Sequence, residues 1–140
     1  MKAHIEKIVY PGKSLAIIGG KVIFCDEGLP GEIVEVEPFR EKKTYIEART
    51  KKILDASRDR VPVRCPHYKT CSQYQYINYP IQLEIKKSQL REIFSRSLNI
   101  ELNNLLIKAS PEVWGYRNKV HLHLIRENSS VHLAYHQPGA

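Results

Sequence analysis

Cysteine is scarce in this chain of 140 residues. Its three copies, Cys25, Cys65 and Cys71, are too few and too unevenly placed for a secreted disulfide scaffold. Long apolar runs are missing as well: none approaches the ~20 residues that a membrane span needs. The opening Met1-Lys2-Ala3-His4-Ile5-Glu6-Lys7 has no apolar core of the signal-peptide kind. A cytoplasmic protein with no membrane partner is therefore expected. No internal repeat or low-complexity tract occurs. Nor is there a glycine-rich strand-to-helix turn able to cradle a nucleotide, since Gly19-Gly20 lies between two strand-like segments.

What is present is basic charge, unevenly distributed. The net charge is +7. Residues 1–55 carry ten Lys/Arg against nine Asp/Glu, whereas residues 56–140 carry twelve against six. A basic second half suits a polyanionic partner, because phosphate neutralisation dominates nucleic-acid affinity. A merely soluble basic surface would have the same composition.

The first 55 residues read as five short strands. Ile5 to Tyr10 is stopped by Pro11-Gly12. Leu15–Ile18 and Lys21–Cys25 flank Gly19-Gly20, a pair suited to a tight hairpin because glycine accepts positive φ. Cys25, ending an apolar run, reads as a small buried hydrophobe. Glu32–Glu37 and Lys43–Arg49 each alternate apolar and polar residues. Short strands without helical periodicity fit a small closed barrel of the oligonucleotide-binding kind.

Residues 56–78 hold two prolines, two cysteines and several basic residues, and read as an irregular linker. Ile81, Ile85, Leu90, Ile93, Phe94 and Leu98 then recur at helical spacing, predicting an amphipathic helix over roughly 80–97 with Pro80 in its first turn. Val120–Ile125 and Val131–His136 alternate around Glu127–Ser130, predicting a hairpin. The fold class is therefore α+β: a five-stranded OB-like barrel at 1–55, a cysteine-bearing linker at 56–78, and at 79–140 a partial α+β domain of one amphipathic helix and a β-hairpin.

Gly28-Leu29-Pro30-Gly31-Glu32 followed by Val34-Glu35-Val36 resembles a TRAM domain, a small RNA-binding barrel. Further along come Asp59-Arg60-Val61, Arg64-Cys65-Pro66-His67-Tyr68, Gln73–Ile77, Tyr79 with Gln82–Lys86, and Trp114-Gly115-Tyr116-Arg117-Asn118-Lys119. In that order and spacing they resemble the TRAM-containing bacterial RNA (uracil-5-)-methyltransferases, over essentially the whole chain. The resemblance implies S-adenosylmethionine-dependent methylation of carbon 5 of a uridine in rRNA or tRNA. It also implies that the catalytic cysteine and the cofactor domain lie outside these residues. The chain alone should hold no cofactor and methylate nothing, and it reads as a fragment or a truncated relative whose catalytic domain is expected in cis. The alternative is a stand-alone TRAM-type RNA-binding module.

The resemblance further implies a 4Fe–4S cluster bound through Cys-x5-Cys-x2-Cys and a fourth cysteine. Cys65 and Cys71 match the first two positions, but Tyr74 stands at the third. Two thiolates do not hold the usual cluster, so Cys65 and Cys71 read as remnant ligands of a cluster-free loop. Arg58, Arg60, Arg64 and Lys69 are candidate phosphate contacts, with a solvated charged loop an equal alternative. Tyr68, Tyr74 and Tyr76 either stack on bases or pack the linker onto the barrel, with packing favoured. By resemblance Arg117 and Lys119 face the RNA side, and Trp114 is expected to be a core anchor. His121, His123, His132 and His136 would share one hairpin face, read as a solvated or RNA-facing surface rather than a metal site.

Overall fold

The computed structural model describes residues 1–135. Ten elements follow in order: β1 (Lys2–His4), β2 (Lys7–Val9), β3 (Lys13–Ile18), β4 (Lys21–Cys25), β5 (Ile33–Glu41), β6 (Tyr45–Asp55), α1 (Tyr68–Cys71), α2 (Tyr79–Leu98), β7 (His123–Glu127) and β8 (Ser130–Ala134). The first six form one mixed sheet in the order β1-β5-β6-β4-β3-β2, and β7 and β8 form a second, two-stranded sheet. Among the described residues no helix is long and apolar enough to cross a membrane.

The strand expected over Ile5–Tyr10 is β2, shorter at Lys7–Val9, and an additional strand, β1, precedes it at Lys2–His4. The sheet thus has six strands rather than five, because the chain changes partners between β1 and β2. β1 pairs with β5, and β2 pairs with β3. Between them the Ile5 N–H donates to the Glu32 carbonyl at 2.9 Å and the Glu6 N–H to the Leu15 carbonyl at 2.8 Å. The outermost strands of the sheet are thus consecutive pieces of one stretch, which curls the sheet until its two edges meet. β3 and β4 turn through Gly19 and Gly20, at φ 58° and 78°, the positive values that a tight hairpin demands.

β6 runs to Asp55, past the expected end at Arg49, because the second half of β6 pairs with the first half of β5, Val34 opposite Ile53. Register shifts at Ile33/Val34, Glu35/Val36 and Pro38/Arg40 bend this long ribbon. Pro38, which has no N–H to donate, sits at the last of them. The inside of the sheet is filled by Ile5, Ile23, Val34, Val36 and Ile46, with Ala3, Ala16, Ala48 and Cys25 where space is short.

Residues 56–78 are held against the sheet. Ile8 and Leu29 bury Tyr76 and Ile77, and Tyr68, Tyr74, Ile81 and Ile85 pack around them as a second core. Asn78 precedes α2, Pro80 lies in its first turn, and Asn99 ends it in the left-handed region. Only the first half of the helix's apolar stripe is covered. Ile81 and Ile85 reach the second core, whereas Leu90, Ile93 and Leu98 are exposed. The buried position of the helix is Gln89, which donates to the Ile8 carbonyl and bonds the Tyr74 hydroxyl. β7 starts at His123 rather than at Val120, and the two-residue turn Asn128-Ser129 sets the register Glu127 opposite Ser130.

Candidate nucleic-acid interface

The cations singled out in residues 56–78 divide into two groups. Arg60 turns inward: its guanidinium donates to Glu32 through Nε and Nη2 at 2.8 and 2.7 Å, and to Glu27 through Nη1 at 2.6 Å. It also lies 4.6 Å over the Tyr76 ring. The Glu32 side chain is fully buried and that of Glu27 is 10% exposed. Burial by itself would raise both carboxyls. In Glu27 the hydrogen bonds from Tyr68, Arg60 and Lys69 outweigh it, and in Glu32 those from Arg60 and the Leu29 and Ser57 N–H groups do. Both are held below the ordinary carboxylate range. Lys69 likewise bridges Asp26 and Glu27 at 3.1 and 3.0 Å. The geometry thus gives Arg60 and Lys69 a structural role, fastening the segment to the loop between β4 and β5, instead of the phosphate contact read from sequence.

The tyrosines turn inward as well. Tyr76 is 2% exposed and Tyr68 donates its hydroxyl to Glu27 at 2.6 Å. Burial, and then Glu27 as acceptor, push the Tyr68 phenol up. Burial also carries Tyr76 to about 12. These rings pack the segment onto the sheet and offer no face to a ligand.

Arg58, Arg64, Arg117 and Lys119 are exposed. Arg64 is positioned by its own backbone, since its N–H and that of Cys65 both donate to the buried Gln75 side chain at 2.6 and 2.8 Å. Its guanidinium then lies 4.4 Å over the Trp114 ring. Trp114 is 42% exposed, so it is a surface ring carrying an arginine rather than the expected core anchor. Arg117 lies 6.0 Å from the Tyr116 ring, and Lys86 lies 5.6 Å from that of Tyr74. Tyr79, Lys86 and Tyr116 belong to the motifs that carry the resemblance, but sequence reasoning does not name them as contact residues. The interleaving of Tyr116 with Arg117 was the only local signal for them.

At the cysteines, Cys65 Sγ lies 3.9 Å from His67 Nδ1, and Cys71 Sγ lies 3.7 Å from the His67 carbonyl. Tyr74, at the third ligand position, is committed to Gln89 and the second core. Among the described residues no group of three or more His, Cys, Asp or Glu could hold a metal ion. The donor set does not fit a four-thiolate cluster. α2 is entered through Asn78-Tyr79-Pro80 rather than through a glycine turn. On the hairpin, Ile125 pairs with His132 and His123 with Ala134, which puts both histidines on one face. His136 lies outside the described residues.

No family profile matches the chain. Among curated proteins it is 35% identical over 122 residues to the 23S rRNA (uracil(1939)-C(5))-methyltransferase RlmD of Methylococcus capsulatus, an alignment covering 86% of this chain and 28% of that protein. The protein of the same name from Legionella pneumophila is 34% identical over 122 residues, with the same coverage. That of Shewanella amazonensis is 31% identical over 140 residues, covering 97% of this chain and 32% of its own. The chain spans less than a third of the length of these relatives.

Proposed function

Because this chain belongs to the bacterial RNA (uracil-5-)-methyltransferase family, we propose that it is the RNA-capturing part of an S-adenosylmethionine-dependent rRNA uracil-5 methyltransferase. The observation that carries this is the colinear relationship over 86–97% of its residues to enzymes named for that reaction. The curled sheet is read as an OB-like barrel of the TRAM kind at 1–55. The docked segment at 56–78 joins it to a partial α+β domain at 79–140. Arg58, Arg64, Arg117 and Lys119 contact phosphates, which positions RNA without reading its sequence. A uridine must leave its stack before C5 can be reached, so this part holds flanking RNA while a catalytic domain in cis, with the methyl donor, acts on the extruded base. Such a role belongs in the cytoplasm.

Fluorescence anisotropy with a labelled, structured rRNA fragment tests this. Micromolar binding is expected, weakening steeply as salt rises. Arg117→Ala combined with Lys119→Ala should weaken it and flatten the dependence of log K on log salt by about one unit per lost phosphate contact. An unchanged affinity and slope would remove these residues from the contact surface. Absence of binding in dilute buffer would end the reading altogether.

A further inference from the structure

A cavity of about 440 Å³ opens between the N-terminal half of α2 and the segment carrying Trp114. Tyr79, Lys86, Trp114, Tyr116, Arg117 and Tyr135 are among the residues that line it. The volume falls within the range of small-ligand pockets. Its walls combine the two properties that bind unpaired nucleotides, aromatic faces and unneutralised positive charge. Trp114, Tyr116 and Tyr135 are 42%, 66% and 41% exposed. Tyr79 is fixed in place by its hydroxyl, which accepts the Ser110 N–H at 2.7 Å.

The charge pattern is selective. In the fastened part of the chain, Arg60 and Lys69 are each matched to two carboxylates. Around the cavity, Arg64, Lys86 and Arg117 instead lie against rings. Glu112 is the one carboxylate lining it, and among the described residues no ion pair joins it to any of the three. A cation held over an aromatic face keeps its charge available while making that face flat, rigid and electropositive. A second flat π system with a phosphate attached complements such a surface.

The geometry points to a stacking subsite for one or two unpaired nucleotides of single-stranded RNA, with bases against Trp114 and Tyr116 and their phosphates near Lys86 and Arg117. The inference rests on the RNA-capturing role proposed above and adds to it a place where bases, as well as phosphates, are held. Duplex RNA does not fit, because its bases present edges rather than faces.

The chain contains a single tryptophan, so emission excited at the red edge, where tyrosine does not absorb, reports Trp114 alone. We would titrate the whole chain with an eight-nucleotide oligouridylate, following tryptophan emission with the unlabelled oligomer and anisotropy with a labelled one. Inorganic polyphosphate of equal charge serves as the base-free control. Expected are emission quenching that saturates together with anisotropy, and no quenching by polyphosphate. Tyr116→Ala should weaken oligouridylate binding by roughly fivefold or more, given the usual strength of base–aromatic stacking, and leave polyphosphate binding unchanged. Trp114→Phe, which keeps a ring, should bind within about twofold of the parent, and circular dichroism checks that each variant is folded. Binding seen by anisotropy with unmoved tryptophan emission, or quenching by polyphosphate equal to that by the oligomer, overturns the subsite and leaves the RNA-capturing role standing. No binding of oligouridylate or of the rRNA fragment overturns both.

Discussion

Removing the Arg60 guanidinium would leave Glu27 and Glu32 facing one another without their shared cation. Breaking a buried ion pair from one side costs roughly 3–5 kcal/mol, because the remaining charge stays desolvated. Arg60→Ala is therefore expected to lower the unfolding free energy by about 3 kcal/mol, read from the urea midpoint; a midpoint within error of the parent would contradict the fastening role. The same cluster sets an acid limit. Both carboxyls lie below the ordinary 4.5 in the folded chain, so their contribution is fully present above that value and is lost as pH falls through the folded values. The urea midpoint should be level from pH 7 to about 5 and decline below about 4.5, with a shallower decline in Arg60→Ala. None of this was legible locally. Arg60 is separated from its partners by 33 and 28 residues, and a lone arginine in a basic segment reads equally well as a phosphate contact. The tyrosines were more readable, since packing onto the barrel was the favoured of their two readings despite their interleaving with charged residues.

Among the elements, the loop leading from β4 to β5 is the most constrained. Gly28 has φ +150°, and a Cβ there would approach Ile5 Cγ1, in the core, to 2.7 Å. Its carbonyl accepts from the Ser14 hydroxyl at 2.6 Å, and its N–H donates to the Tyr76 hydroxyl at 3.3 Å. Gly28→Ala should cost about 2 kcal/mol through backbone strain and collision together, measurable as a lowered midpoint with unchanged far-ultraviolet dichroism of the native baseline. A loss under about 0.5 kcal/mol, the usual effect of a neutral surface change, would show that the loop yields. Gly19-Gly20 and Asn128-Ser129 both form turns where the sequence places them, because a two-residue turn is decided by its own φ preferences. The split of β1 from β2 is not legible in the sequence because nothing within Lys2–Val9 announces a change of partner; that depends on β3 and β5 lying on opposite sides of it.

At the scale of the whole chain, binding and chemistry are expected to separate. Mixed with rRNA and methyl-labelled S-adenosylmethionine, these 140 residues should bind the RNA and transfer no label. Label appearing in the RNA would mean that a cofactor site had been overlooked. The relatives, more than three times as long, leave ample length for that chemistry elsewhere. The apolar surface on Leu106, Leu124, Val131 and Leu133 belongs to the same scale, since periodicity marks a residue as apolar but not whether anything packs on it.

The sequence alone determined most of the strands, the long helix, both tight turns and the family, because each depends on neighbours within a few residues or on motifs in linear succession. Only the tertiary structure decided which cations are neutralised and which stay open, and whether the cysteine segment is loose or fastened. It likewise decided that Trp114 lines a surface cavity rather than a core. Those outcomes turn on desolvation and on partners brought together from distant positions, and neither property is carried by any stretch of chain by itself.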